Sequence, residues 1–407
     1  MANPQITIEI GFNLLLSPEA PFFTLDDGTK GRLDNTEYRL GGTFFYDVTS
    51  RVRNVSVTRG KSQVFSNYVA GELNVELNNR DRAFDPLYPD SPFVGNIIPR
   101  REIRMKVNEE IVFTGWVEDW DLGYSPDNDS IAVAKAVDAT SIFANQTFNE
   151  WTPSEELSGA RIAAALDRPE VGWNADLRDL EPGRELMGAY TVTDEYNVLN
   201  YLQNVAESET GSFFIDKQGR VAFRDRLSTP STDDVITFGN GGIAFENIQV
   251  IYGAELLFNE VTVSRYTGGT ALATNTNSVN TYGYRALTVT DSQVANDSQV
   301  VDIALDYVTR YSEPEYRVDR IDLPLHKMSE AQQTRISELE LGDVCFISFT
   351  PNGIGDPIER YLEVIKIDHA VTPFTHIVEL GFRQLLYPPF VLDSPVFGRL
   401  GVGALAR

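Results

Sequence analysis

Residues 72–107, ELNVELNNRDRAFDPLYPDSPFVGNIIPRREIRMKV, decide the fold of this protein. Apolar and polar residues alternate at both ends of the stretch, over 72–78 and 101–107, which is the pattern of half-buried antiparallel strands. Between these ends, residues 79–100 contain four prolines, and each proline removes a backbone donor and clashes with a preceding helical turn. The same residues carry too many large apolar side chains for a disordered linker. We therefore expect an ordered, irregular connection between two strands.

Alternating patterns recur on either side of this stretch. In the first third of the chain they are ITIEI (6–10), IVFTGWVEDW (111–120) and SIAVAKAV (130–137). In the last third they are DDVITF (233–238), NEVTVSRY (259–266), EYRVDRIDLPL (315–325), DVCFISF (343–349), RYLEVIKIDHA (360–370) and THIVELGF (375–382). Both ends of the chain are therefore predicted to be built from strands.

Helical periodicity appears in the middle of the chain. A first helix is expected within 158–173, capped by Ser158, and a second within 193–211, capped by Thr193 or Asp194 and closed by Gly211. A hairpin around Gly219 should follow over 212–226. A third helix is expected over 298–312, with Val301, Ala304, Leu305 and Val308 on its buried face. The small polar residues 267–281 are predicted to form a loop.

The predicted elements divide the chain into four parts. They indicate a mainly β protein with a small α+β insert. Three consecutive strands occur both before the insert (101–107, 111–124, 130–137) and after it (343–349, 360–371, 375–382), so we expect two similar β-barrel or β-sandwich units. The expected parts are a first β-domain at 1–145 with the proline-rich loop 79–100, the α+β domain at 146–235, a second β-domain with one helix at 236–385, and a C-terminal docking tail at 386–407.

The charge balance argues against a nucleic-acid-binding surface. Among 407 residues there are 59 acidic and 34 basic side chains, and the net charge of −25 repels polyphosphate. Most basic residues are arginines, which fits a high-salt habitat with strong screening or a host that favours arginine codons, and the sequence leaves both open. No apolar stretch approaches the roughly 20 residues needed to cross a bilayer, so no membrane span is expected.

Metal or nucleophilic chemistry has little support in the sequence. The three histidines are His326, His369 and His376, and their spacing does not match a zinc site, so a structural role is expected. The single cysteine, Cys345, lies among apolar strand residues, where a catalytic thiolate is not expected. We therefore predict no catalytic, cofactor-binding or metal-binding residues and no cofactor.

One acidic stretch leaves an alternative open. WVEDWD (116–121) places Glu118, Asp119 and Asp121 beside Trp116 and Trp120. Aromatic rings next to two carboxylates could form a carbohydrate-active or glycan-binding site, in which the acids act as general acid and base. The simpler interpretation is a solvated strand end with two half-buried tryptophans.

Residues 72–107, with VFTGWVEDWDLGY (112–124), resemble the minor tail proteins of long-tailed, non-contractile bacterial viruses. That pattern is a strand, an Asn-Arg-Asp-x-x-Phe-Asp-Pro turn, a Ser-Pro-x-x-Gly-Asn loop and two further strands. The matching residues are Asn79, Arg80, Asp81, Phe84, Asp85, Pro86, Ser91, Pro92, Gly95, Asn96, Pro99, Arg100, Ile103, Arg104, Phe113, Gly115, Val117 and Asp119. Residues 206–226 and 315–353 resemble the family too, so the resemblance covers roughly 70–385.

The resemblance implies a structural virion protein, the tail-tip (baseplate) hub of a siphovirus-like virus, and not an enzyme. Three copies would form a homotrimeric ring, and each copy would supply two tail-tube-like β-domains, so that six units match a sixfold tube. The implied partners are the ring protein of the distal tube, the tape-measure protein and fibre or receptor-binding proteins. Double-stranded DNA would pass through a lumen that is closed before infection and opens for ejection.

Charged residues gain expected roles under this resemblance. Arg80, Arg82, Arg100 and Arg101 can pair with carboxylates of a neighbouring subunit or can hold the loop on its own domain, and both alternatives stay open. Asp85 and Asn96 are expected to bond to the nearby backbone in turns. The acidic composition would keep DNA from adsorbing to the lumen by like-charge repulsion.

Overall fold

A long antiparallel sheet runs through the molecule and contains strands from both ends of the described chain. The computed structural model describes residues 3–12, 27–29, 31–32, 44–61, 63, 65–127, 129–226, 228 and 235–385. The predicted docking tail at 386–407 lies outside these residues. Within them, no helix is long and apolar enough to cross a membrane.

The first β-unit is formed by the strands that precede the helices. They are β1 (Ile6–Phe12), β2 (Phe44–Asp47), β3 (Val52–Gly60), β4 (Val69–Asn78), β5 (Arg101–Val107), β6 (Glu110–Gly123) and β7 (Ile131–Val137), with a 3-10 turn at Thr49–Arg51. In the sheet they follow the order β3-β4-β7-β6-β5-β1-β2, with antiparallel neighbours. Leu73, Val75 and Leu77 of β4 are fully buried, as their alternation predicts.

A small α+β region follows the first β-unit. Its elements are α1 (Thr140–Ala144), β8 (Glu156–Leu157), α2 (Ser158–Leu166), a 3-10 turn at Ala175–Leu177, β9 (Arg178–Leu180), β10 (Leu186–Met187), α3 (Val198–Ser208), β11 (Ser212–Ile215) and β12 (Val221–Arg224). The predicted helices and hairpin are present, and the Gly211 amide donates to the Ala206 carbonyl at 2.9 Å at the end of α3, but the predicted N-terminal caps are wrong. Ser158 is buried and its hydroxyl donates to the Glu209 carboxylate, while Asn197 caps α3 by accepting from the Asn200 amide.

The remaining elements continue to the end of the described chain. They are β13 (Ile236–Gly239), β14 (Asn247–Gly253), β15 (Glu260–Arg265), β16 (Thr270–Thr274), α4 (Thr276–Tyr282), β17 (Ala286–Ser292), α5 (Asp297–Tyr311), β18 (Glu315–Pro324), a 3-10 turn at Leu325–Lys327, α6 (Glu330–Glu338), β19 (Val344–Phe349), a 3-10 turn at Pro351–Gly353, β20 (Ile358–Val371) and β21 (His376–Gln384). We call β13, β14 and β18–β21 the second β-unit. Its strands β14-β18-β21-β20 continue the long sheet, because β20 also pairs with β3.

The described residues form two hydrophobic cores. One fills the two β-units, and the other lies among the helices. Residues of β15, β16 and α5, including Val263, Ala273 and Ile303, belong to the helical core and not to the core of the sheet. The α+β region therefore packs with the segment from β15 to α5, which lies between β14 and β18 in the sequence. The domain boundaries given above remain predictions.

Two expectations for this segment are wrong. Residues 267–281 are not a loop, because they contain β16, which pairs with β15, and α4, which Asn275 caps. The buried face of α5 is also rotated from the expected one. Val300, Ile303, Ala304 and Val308 are buried, whereas Val301 and Leu305 are about half exposed. Packing on β15 and β16 selects this face, which the periodicity alone left ambiguous by one residue.

The two β-units share one strand order. Glu118 is the extra residue of a β-bulge where β6 pairs with β7, and Ile365 holds the same place where β20 pairs with β21. When the bulges are aligned, β7 corresponds to β21 and β4 corresponds to β18. Both β4 and β18 span ten residues. The order β3-β4-β7-β6-β5 therefore recurs as β14-β18-β21-β20-β19. The units differ at their first strand, because β1 is antiparallel to β5 whereas β13 is parallel to β19.

A buried cluster of charged residues joins three parts of the chain. Arg59 of β3 donates to the Glu340 carboxylate at 2.6 Å and to the Ile215 carbonyl at 3.1 Å. The other Glu340 oxygen accepts the backbone amide of Lys217 at 2.7 Å. The Lys217 ammonium in turn donates to the Ser337 carbonyl at the end of α6, at 2.9 Å. This cluster fixes the orientation of the first β-unit, the α+β region and the second β-unit.

Candidate assembly surface

The sheet leaves strand edges without a backbone partner among the described residues. β5 pairs with β6 only as far as Val117, so the next part of β6, residues 119–123, is bonded on the β7 side alone. β14 lies at one end of the sheet and pairs with β18, and no strand of the described residues lies beside its second edge. Free strand edges present unpaired amide and carbonyl groups and are templates for pairing with another chain.

The second β-unit shows what fills the equivalent edge. There the second half of β20 pairs antiparallel with β3, from Lys366 opposite Gly60 to Val371 opposite Val55. β20 corresponds to β6 because their bulges align, and β3 corresponds to β14 because they flank the equivalent strands β4 and β18. The strands with free edges, β6 and β14, thus correspond to β20 and β3, which pair with each other inside the chain.

The alternative carbohydrate site considered at 116–121 is not assembled in the single chain. After the bulge, Trp120 packs on the core while Asp119 and Asp121 point to the solvent side, because successive strand residues face opposite ways. Asp121 is paired with Lys135 at 2.5 Å, and Glu118 is paired with Arg100 at 2.8 Å. The tryptophans and the two aspartates therefore do not face a common ligand position.

The proline-rich segment 79–100 is a series of overlapping turns. The amides of Arg82, Asp85, Tyr88, Ser91 and Val94 each donate to the carbonyl three residues earlier, at 3.0 to 3.2 Å. This geometry uses the fixed proline dihedrals and needs neither a helix nor a strand partner. The segment is ordered, as its sequence predicts.

Aromatic packing holds this segment on the first β-unit. Phe84 and Phe93 are buried and stack with ring centroids 5.3 Å apart. Phe84 also stacks on Trp120 of β6 at 5.8 Å, and Phe93 packs on Phe12 of β1 at 4.8 Å. The segment therefore lies directly beside the free edge of β6.

The arginines of the segment bond within the chain. Arg80 pairs with Asp129 at 2.7 Å, Arg82 with Asp85 at 2.7 Å and Arg100 with Glu118 at 2.8 Å, while Arg101 donates to the Asn96 carbonyl at 3.2 Å. Asp85 accepts the Leu87 amide at 2.9 Å, and the Arg82 guanidinium holds the pKa of that carboxyl below its usual range. Asn96 donates to the Val94 carbonyl at 3.4 Å, so both predicted turn residues bond locally. Of the two alternatives for the arginines, these contacts realise the intrachain one.

The three histidines lie together, which sequence spacing did not predict. His369 Nδ1 lies 3.0 Å from His376 Nε2, and His326 Nδ1 lies 3.1 Å from the His376 carbonyl oxygen. Burial lowers the pKa of His376 to about 4 and lowers that of His369 well below its ordinary value. The sequence feature that could have predicted this contact is the turn at 372–375. It folds β20 back on β21 and sets the rings of His369 and His376 diagonally across the hairpin.

Chemistry at the histidines and the cysteine gains no geometric support. No group of three or more ligand side chains suited to a metal ion occurs within the described ranges. Cys345 is fully buried, and burial raises the pKa of its thiol, which disfavours the nucleophilic thiolate. The absence of site residues nevertheless remains a prediction.

The face of the sheet opposite the core is acidic. The cross-strand registers place on this face the carboxylates Glu72, Glu76, Asp119, Asp121, Asp322, Asp368 and Glu379 and the basic residues Lys135, Arg320 and Lys366. Neutral polar residues such as Ser56, Asn74 and Gln249 lie between them, together with apolar residues such as Val133 and Ile377. Because acids outnumber bases, this face repels polyanions.

Two solved structures with the same fold are tail proteins, and one of them comes from a prophage. A tail protein from Neisseria meningitidis MC58 matches with a TM-score of 0.60 and 11% identity over 94% of this chain and 97% of that one. The 43 kDa tail protein of prophage MuSo2 from Shewanella oneidensis matches with a TM-score of 0.53 and 13% identity over 84% and 96%. The chain shares the fold of these tail proteins. The predicted mainly β fold class is thereby confirmed.

Sequence comparison adds no closer assignment. No family model matches the chain, and no curated protein matches it in sequence. At identities this low the structural likeness establishes the fold alone, and a role must be argued from the surfaces described above.

Proposed function

We propose that this protein is the hub of a siphovirus-like tail tip and assembles as a ring of three copies. The fold shared with tail proteins supports a structural component of a phage tail. The observation that carries the specific role is the repetition of one strand order in two β-units. The pairing of β20 with β3 joins the units, and the corresponding strands β6 and β14 have edges without a partner in the described part of the chain.

The free edges lie at opposite ends of the row of paired strands that runs from β14 to the second half of β6, so they support a head-to-tail contact between copies. Such heterologous contacts build a closed ring when the rotation between copies closes. Since each chain contributes two equivalent β-units, three copies present six units. Six is the number required to continue a sixfold tail tube.

The junction inside the chain also fixes the register proposed between chains. Transferring the β20–β3 pairs to β6 and β14 sets Asp121 opposite Ile251 and Gly123 opposite Gln249. Leu122 then lies beside Val250 on the core side, where both side chains already pack against the core of the sheet. Apolar residues thus meet apolar residues across the proposed junction.

The acidic face gives the ring its lumen in this proposal. If the sheet closes around an axis with its core side outward, the carboxylates named above line the channel. DNA then passes without adsorbing, because its phosphates meet like charge. The proposed partners are the tube ring protein above the hub, the tape-measure protein in the lumen, and fibre or receptor-binding proteins at the tip, with the lumen closed before infection and opened for ejection.

A cysteine pair tests the ring directly. Asp121→Cys combined with Ile251→Cys should form intermolecular disulfides on oxidation of concentrated protein and give a closed covalent trimer on a non-reducing gel and by mass. Asp121→Cys combined with Asn247→Cys displaces the pair along β14 and serves as the matched control. Absence of a linked trimer, or equal linking of the control, contradicts the proposed ring.

A further inference from the structure

The proline-rich segment and α6 occupy the same place in their β-units. The segment connects β4 to β5, and α6 lies in the connection from β18 to β19, which are the equivalent strands. One connection is a series of turns and the other is a helix, so only their position in the fold corresponds.

Within the chain, α6 reaches across the junction to the next unit. It packs on β5 and β6 of the first β-unit, and the Asn108 side-chain amide at the tip of that hairpin donates to Gln333 of α6 at 3.0 Å. Ile336 of α6 is buried in the common core. The connection between β18 and β19 of the second β-unit thus covers the β5–β6 hairpin tip of the first β-unit, which is the next unit along the sheet.

The proline-rich segment corresponds to α6, and the β19–β20 hairpin corresponds to the β5–β6 hairpin. Both of these surfaces expose large apolar side chains. On the proline-rich segment, Leu87 is 85% exposed, and Val94 and Ile98 are about half exposed; we call these three residues the proline-rich patch. On the β19–β20 hairpin, which corresponds to β5–β6, the tip residue Ile354 is 76% exposed. Ordered segments that present several large apolar groups to solvent mark interaction surfaces.

Both surfaces also carry exposed charges. Arg80, Arg82 and Arg100 flank the proline-rich patch, and about half or more of each side chain is exposed despite its intrachain ion pair. Asp81 and Asp90 of the same segment are exposed too, so the rim of the patch has mixed charge. The β19–β20 tip carries the exposed carboxylates Asp356 and Glu359, which the arginines of the rim can face.

We propose that the proline-rich patch binds the β19–β20 tip of the neighbouring copy of this chain, as α6 binds the β5–β6 tip within one copy. This inference rests on the proposed ring and names a second contact of the same interface. In this arrangement β6 and β14 of neighbouring copies pair through their backbones. The proline-rich segment covers the β19–β20 hairpin of the next copy.

Short-range crosslinking tests this contact. Leu87→Cys combined with Ile354→Cys, treated with a short-spacer bismaleimide, should give linked dimers and trimers; the native Cys345 is buried and does not compete. Leu87→Cys combined with Phe374→Cys is the control, because Phe374 is equally exposed but lies on the β20–β21 turn.

A second variant measures the energetic contribution of the patch. Changing Leu87, Val94 and Ile98 together to serine should weaken self-association at least tenfold by sedimentation while leaving thermal unfolding of the single chain unchanged. Phe374→Ser should change neither quantity.

The outcomes separate the two proposals. If Asp121→Cys/Ile251→Cys links and Leu87→Cys/Ile354→Cys does not, the patch contact is wrong and the ring stands. If the patch pair links as well, both contacts are supported. If neither pair links, both are overturned.

Discussion

Gly60 lies so close to Ile365 that a Cβ built on the glycine would stand 2.2 Å from the Ile365 carbonyl oxygen. Gly60 also has a φ of +114°, which side chains on an L-residue rarely tolerate. The contact sits at the junction of the two β-units, where β3 meets the bulge of β20. The junction therefore depends on a residue without a side chain.

Gly60→Ala is expected to lower the free energy of unfolding by at least about 2 kcal/mol, because backbone must move to admit the methyl group. Gly253 ends β14 as Gly60 ends β3, and a Cβ there meets nothing within 4 Å in the single chain. Gly253→Ala should therefore leave unfolding unchanged within about 0.5 kcal/mol but weaken ring formation. Urea unfolding and sedimentation measure the two effects. Equal destabilisation by both variants would show that Gly253 is already enclosed in the single chain, and unchanged ring formation by Gly253→Ala would refute the equivalence of the glycines.

Phe93→Ala should destabilise the protein by about 3–5 kcal/mol, because the ring is buried between Phe12, Tyr46 and Phe84 and its loss leaves a cavity. Leu87→Ala in the same segment is the matched control and should have an effect within about 0.5 kcal/mol, because that side chain is exposed. Chemical unfolding measures both. Similar effects of the two changes would mean that the segment is not packed as described.

His376 should make stability depend on pH. Its pKa of about 4 in the folded protein lies below the ordinary value of 6.5, so the unfolded chain binds more protons between these values. The contribution to stability is full above pH 6.5 and is lost as the pH falls towards 4, by roughly 3 kcal/mol. His376→Gln should remove this part of the pH dependence, measured as the difference in unfolding free energy between wild type and variant from pH 7 to 4.

Asp138 acts in the opposite direction and must be separated from the histidine. Burial raises the pKa of Asp138 to about 6, so the folded protein binds the proton more tightly and stability falls as the pH rises from about 4 to 6. Burial also raises the pKa of Asp343 to about 6 and lowers that of His369, so several slopes overlap in the wild type. The difference between wild type and His376→Gln removes the unrelated slopes and reports His376 together with its effect on the neighbouring His369. An unchanged difference across the range would contradict a buried, neutral His376.

Arg59→Met should lower the free energy of unfolding by about 3–5 kcal/mol, because it leaves the Glu340 carboxylate without its buried partner. Arg59→Met combined with Glu340→Leu should be less destabilised than the sum of the single changes, since the two residues interact directly. Arg320→Met, which breaks a half-exposed pair with Glu379, is the control and should leave stability nearly unchanged. Additive effects of Arg59 and Glu340 would show that the pair is not coupled.

Local sequence patterns predicted the elements whose own periodicity is strong enough to identify them without their packing partners. Alternation alone located β4 and β5, helical spacing located α2 and α3, and four prolines were enough to exclude a helix at 79–100. Elements with weak patterns were missed: the polar residues of α6 and the alanines and threonines of β16 become ordered through packing and strand pairing with distant residues.

The sequence by itself determined the strands with clear alternation, such as β4, β5 and β21, that the chain is mainly β with an α+β insert, and that it is acidic. Only the tertiary structure decided that two β-units share one strand order, that β20 pairs with β3, and that β6 and β14 have an edge without a partner among residues the structure describes. The physical reason is that side-chain periodicity is set by neighbours along the chain, whereas strand pairing depends on hydrogen bonds between residues far apart in sequence, such as Gly60 and Lys366.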